Sequence, residues 1–243
     1  MNRPEPATRS KSVGASDLIE DMFGLNVRGV HTIWQTFRAP ARVFASARDA
    51  DWSDRQYTPS IRLVFSLFAA MAALRFLWSG SDSYFYDVTT KLALSSGEFE
   101  TEAMARAFTD DVLETFAIVF PFALMLGHFV ASLLLHVWGG KTPAAVRIRL
   151  YFSVIVPGCL FSLFMTALMG VTTEGSWFWV TGMMILVVFA LDFSTALRGG
   201  VSGKRLSGRI ARALLVAFIS LLVENTANMI AFSASSAWVS AFS

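Results

Sequence analysis

Apolar residues fill five stretches of this chain, about 61–78, 115–138, 150–171, 177–197 and 213–232, and charged residues are nearly confined to the connections between them. Each stretch approaches the roughly 20 apolar residues that a helix needs to cross a bilayer core. The pattern predicts an all-α integral membrane bundle of five transmembrane helices within residues 61–243. Ahead of it, residues 1–15 read as a disordered leader and residues 16–60 as a cytoplasmic amphipathic region.

Three shorter patterns lie outside the spans. Over residues 30–47, Val30, Ile33, Trp34, Phe37, Ala41 and Phe44 recur at helical spacing, while Arg38, Arg42 and Arg48 fall off that stripe. Such a helix suits the cytoplasmic interface, with Trp34 and Phe37 in the acyl boundary and Arg38 and Arg42 against anionic headgroups. The alternative is a helix packed under the bundle through the same stripe. Pro40 is expected to interrupt or kink it. A short helix is also expected over residues 17–25. In the long connection 79–114, Phe99, Met104, Phe108 and Val112 mark a helix that feeds into the second span. Its acids read first as a solvated face, and alternatively as a site for cations or a basic partner.

Composition agrees with the class. Hydrophobic residues make up 54% of 243 residues, charged residues 16%, and the mean hydropathy is +0.53, too apolar for a soluble domain. The net charge of +2 does not point to nucleic acid. The single cysteine, Cys159, excludes an intrachain disulfide and a four-cysteine metal site. Sixteen arginines against four lysines, with abundant alanine, suggest a GC-rich bacterial genome and so a bacterial inner membrane.

The distribution of charge gives an orientation. Arg3, Arg9, Lys11, Arg28, Arg38, Arg42, Arg48 and Arg55 precede the first span. The 79–114 connection has only Lys91 and Arg106 against eight acids. Lys141, Arg147 and Arg149 follow the second span, Glu174 alone follows the third, and Arg198, Lys204, Arg205, Arg209 and Arg212 follow the fourth. Basic residues stay on the cytoplasmic side, so the N-terminus is expected inside and the C-terminus outside. Trp78, Trp138, Trp177 and Trp179 at segment ends fit interfacial positions. The first fifteen residues lack an apolar signal core, so the first span is expected to direct insertion.

Ionisable residues inside spans are costly and mark functional or packing sites. Arg75 and Glu224 fall at compatible depth in the outer halves of the first and fifth spans, and an ion pair is expected, with Asn225 and Asn228 nearby. His128 and Asp192 fall in the inner halves of the second and fourth spans, within expected hydrogen-bonding reach. The plainer reading of both pairs is helix packing, since such contacts are worth about 0.6 kcal/mol on average. Gly139-Gly140-Lys141-Thr142 and Gly199-Gly200-Val201-Ser202-Gly203-Lys204 only echo a phosphate-binding loop and read as glycine turns. His128 and His136 lack a third ligand at metal spacing. No catalytic constellation, cofactor motif or metal site is expected.

The stretch Trp34-Gln-Thr-Phe37-Arg-Ala-Pro40, followed by Tyr57-Thr58-Pro59-Ser60-Ile61-Arg62-Leu63 entering the first of five spans, resembles the Yip1-type membrane proteins and their bacterial relatives. A proline at the start of a helix is physically sensible. The cysteine zinc ribbon that often precedes this lead-in in bacterial relatives is absent. The resemblance implies a role in membrane organisation and no defined activity. The expected function is that of a non-enzymatic, multi-pass inner-membrane protein acting through protein or lipid contacts, as an accessory subunit of a membrane complex. Its expected partners are the lipid bilayer and either another protein or a second copy, not nucleic acid. The alternative is a small transporter or channel component using the intramembrane charges.

Overall fold

The structure is a computed structural model and describes residues 27–49, 56–78, 83–169 and 174–242. The leader 1–15 and the short helix expected over 17–25 lie outside the described residues. Among the described residues there is no strand, and the chain forms eight helices: α1 Val27–Arg38, α2 Pro40–Arg48, α3 Ser60–Trp78, α4 Tyr84–Ser95, α5 Glu102–Leu134, α6 Ala144–Met169, α7 Glu174–Gly199 and α8 Leu206–Phe242.

Among the described residues, four helices are long and apolar enough to cross a membrane: α5, α6, α7 and α8. The expected count was five. The helix outside that set is α3, 19 residues with Arg62 near one end and Arg75 near the other, whose last three side chains lie outside the described residues. The apolar run between the arginines is twelve residues, or about 18 Å at the helical rise, the length of a core helix. α3 packs accordingly: Leu63, Val64, Leu67 and Phe68 are fully buried against α6 and α5.

Other boundaries shift for local reasons. The second span was expected to reach residue 138, but α5 ends at Leu134, and Leu135 is extended. Leu135, Val137 and Trp138 remain buried because the chain folds back under the bundle. There the Ser202 amide and hydroxyl both donate to Val137 O, at 3.0 and 2.8 Å. His136 therefore lies outside the helix and accepts from Arg147 Nη1. Trp138 is a core residue, not an interfacial one; its ring lies 6.0 Å from that of Phe44. At the other end of the bundle Trp179 is 82% exposed, Trp177 packs on Tyr84 at 5.4 Å, and the Trp78 side chain lies outside the described set. α8 continues to Phe242 because nothing after residue 232 breaks a helix. Its 37 residues span about 55 Å, longer than a bilayer core.

α6 is the centre of the bundle. Every residue from 150 to 159 is buried, with α3, α7, α5, α1 and α2 packed around it. α5 and α8 form the most extensive helix pair, and Gly127 is the reason they approach closely. A methyl group there would lie 2.8 Å from Val223 Cγ1. Small residues serve this purpose in membrane bundles, where close packing replaces the hydrophobic effect as the driving force.

The basic connections share one end of the bundle with α1 and α2. Arg198 donates to Phe37 O at 3.0 Å and to Arg38 O at 2.9 Å, satisfying the C-terminal carbonyls of α1 with a cation. Arg48 donates to Gly200 O at 3.0 Å, and Arg149 to Asp49 O at 3.1 Å. Gly200 follows α7 at φ +122, a backbone region open to glycine. Ala39 separates α1 from α2, and Pro40 takes the first turn of α2, where its missing N–H costs nothing. That break divides the apolar stripe. Phe44 is buried in the bundle, Ile33 and Phe37 are half-buried, and Val30 and Trp34 stay 60% and 58% exposed. α1 instead turns Gly29, Thr32 and Thr36 inward. Thr32 Oγ1 there accepts from the Thr58 amide at 2.8 Å.

Candidate functional site

At the end of the bundle opposite α1 and α2, a cavity of about 360 Å³ opens between α3, α5, α6, α7 and α8, with α4 at its rim. Local sequence explains each wall. α4 begins at Ser83, whose hydroxyl accepts from the Tyr86 amide at 3.2 Å and caps the helix. α4 is then held to α5 by Tyr86, which donates to Arg106 O at 3.3 Å, and by Thr90, which donates to Thr109 Oγ1 at 3.1 Å. This docking sets Tyr84 and Phe85 over the cavity, where they pack on Trp177 and Phe116. Leu113, Ala117, Met169, Met184, Ile185, Val188 and Leu221 supply apolar walls.

The polar side chains of the lining include Arg75, Glu224, Asn225 and Asn228. Arg75 Nη1 donates to Asn228 Oδ1 at 3.1 Å. Its guanidinium lies 4.0 Å from the centre of the Phe120 ring and 5.7 Å from that of Phe116, in cation–π contact. Asn228 is oriented by its own amide, which donates to Glu224 O at 2.8 Å, and Asn225 donates to Leu221 O at the same distance. Arg75 and Glu224, expected as an ion pair, face one cavity and feel each other's charge. The direct partner of Arg75 is nevertheless Asn228, and no ion pair closes between Arg75 and Glu224. Both are half-buried.

His128 and Asp192 are both fully buried. They do not bond each other. His128 Nδ1 shares a 2.8 Å hydrogen bond with Tyr151 OH, and its ring stacks on Phe68 at 5.6 Å. Asp192 sits against Gly158, where a methyl group would approach its Oδ1 to 2.6 Å. Neither carboxyl oxygen of Asp192 has a hydrogen-bond partner, and neither has Ser220 Oγ or His128 Nε2. Ser220 stands near both the Asp192 carboxyl and Tyr151 without closing to hydrogen-bond geometry. Tyr151 thus lies between the two residues expected to pair. It escaped the sequence reading because a tyrosine in an apolar run carries no formal charge. Of the interfacial candidates, Trp34, Arg38 and Arg42 are exposed and Phe37 is half-buried.

Among the described residues no group of three or more His, Cys, Asp or Glu side chains has the arrangement of a metal site. The chemistry available is electrostatic and hydrogen-bonding: one guanidinium, one carboxylate, two carboxamides and the hydroxyls of Ser83, Tyr84, Thr166 and Thr181 at a largely apolar cavity. The chain matches no protein-family model, no curated protein and no solved structure.

Proposed function

We propose that this is a non-enzymatic multi-pass membrane protein of the bacterial inner membrane that works through lipid and protein contacts. In this reading α3 is the fifth span, packed against α6 and α5. The end bearing α1 and α2 faces the cytoplasm, and the C-terminus lies outside. α1 rests in the cytoplasmic leaflet boundary. The observation that carries this is the outward face of α1, where Val27, Val30 and Trp34 are 89%, 60% and 58% exposed among the described residues. They stand at the one end of the bundle where Arg38, Arg42, Arg48 and the basic connections gather. An apolar stripe beside exposed arginines fits an anionic bilayer surface.

The test uses single cysteines at Trp34 and Arg42 in a Cys159→Ala background, each labelled with a polarity-sensitive fluorophore in liposomes containing doxyl-labelled lipid. The label at position 34 should be quenched and the label at 42 should not. Equal, weak quenching at both would sink the interfacial reading. A second reading, a small transporter component, draws support from the charged cavity and is tested by uptake into proteoliposomes.

A further inference from the structure

We infer that the cavity binds a zwitterionic amphiphile: one small polar head carrying an oxyanion and an ammonium, with an apolar chain along the wall. The reason is the relation between Arg75 and Glu224. Opposite charges sharing a weakly screened cavity attract strongly and would normally close on each other. Here they are held apart. Asn228 takes one guanidinium N–H of Arg75, and the Phe120 ring at 4.0 Å fixes its plane. Arginine has five N–H donors, so the remainder are left for an incoming oxyanion. Asn228 is itself locked by its bond to Glu224 O, so the clamp is rigid.

Glu224 takes the complementary part. Its carboxylate lines the same cavity and has neither a hydrogen bond nor an ion pair of its own. Tyr84, Trp177 and Phe85 stand at the rim, and aromatic faces favour an ammonium. The arrangement is a fixed dipole, positive at Arg75 and negative at Glu224, with zero net charge. A ligand of one sign meets one attractive and one repulsive group. A zwitterion satisfies both. Met184, Ile185, Val188 and Leu221 continue the cavity with apolar surface, which favours a head that carries a chain. Zwitterionic phospholipid and a free soluble zwitterion share this head chemistry, and the two sources are separable.

The experiment titrates the full-length protein in detergent with short-chain phosphatidylethanolamine, the phosphatidylglycerol of the same chain length, and O-phosphoethanolamine, and reads affinity by calorimetry. Binding of the ethanolamine lipid in clear preference to the glycerol lipid supports the inference. Comparable binding by O-phosphoethanolamine supports it too, with a free zwitterion as the source. Glu224→Gln and Arg75→Gln should each weaken binding by about 10- to 100-fold, the loss of one charge-assisted contact. Should those variants misfold, Ala117→Phe fills the cavity from α5 without touching a charge and should abolish binding. Equal binding of both lipids, or unchanged affinity in Ala117→Phe, overturns the inference.

Discussion

Gly199→Ala tests how α2 is fastened to the bundle. Gly199 ends α7, and the Phe44 ring of α2 lies where a side chain would begin. A methyl group there would sit 2.6 Å from Phe44 Cε2 and Cζ and 2.8 Å from Cδ2. Two effects oppose. Alanine is favoured over glycine in a helix interior by about 1 kcal/mol, and by less at a helix end. Forcing a methyl into a filled site costs about 1–3 kcal/mol. The second effect wins here, because Phe44 is fully buried and backed by Trp138 at 6.0 Å, so the ring has no room to turn. The expected net loss is about 1–2 kcal/mol, which for a chain of this size lowers the thermal midpoint by roughly 2–8 °C. Cys159 is the only cysteine and is buried, so a thiol-reactive fluorogenic dye reports unfolding directly. Phe44→Leu removes the obstructing ring, and the double variant should be more stable than the sum of the single losses by about 1 kcal/mol. A rise in midpoint for Gly199→Ala, or strict additivity in the double variant, refutes the contact as the cause.

The same dye assay checks two further sites. Tyr151→Phe deprives His128 Nδ1 of its partner at full burial and should cost about 1–3 kcal/mol; adding His128→Phe should recover part of it, because an apolar pair leaves nothing unsatisfied. Asp192→Asn keeps the shape that fits against Gly158 and removes an acid with no hydrogen-bond partner, so the midpoint should hold or rise; a fall of several degrees would mean that the carboxyl is engaged. Burial, and then the nearby Asp110 carboxylate, raise the Tyr86 phenol above its usual pKa. A raised phenol pKa stabilises the fold fully below the unfolded value, about 10, and that contribution disappears as pH rises through the folded value. Alkaline titration above about pH 10 should therefore undock α4 in the wild type, and Tyr86→Phe should flatten that loss; identical profiles would disprove the assignment.

What the chain made legible follows from what hydropathy measures inside a membrane. It resolved which residues are helical and at what depth, so Arg75, Glu224 and Asn228 were assigned to one level and lie at one cavity. It did not resolve direction around each helix. In water the buried face is apolar and the other is polar, and the contrast gives the direction. In α5 the outward residues Phe122, Leu126 and Phe129 are 70%, 65% and 44% exposed and as apolar as the inward Phe116, Phe120 and Leu124. The contrast vanishes because lipid tails accept the same side chains as the core does. Only the rare polar residues then mark the inner face, and they mark it by exclusion: His128, one turn beyond Leu124, must face protein. Which protein group it faces depends on helix rotation, and that selected Tyr151 over Asp192. The span count differs at α3, whose last three side chains lie outside the described residues. Its place against α6 and α5 is again a matter of packing, which hydropathy does not measure. The expected ion pair rested on the same omission. Depth and sign made Arg75 and Glu224 neighbours, but Phe120 of α5 stacks on the guanidinium, and Asn228, one turn beyond Glu224 on the same face of α8, takes its N–H first. That restraint, invisible in a hydropathy profile, is what turns a packing contact into an open pair of charges.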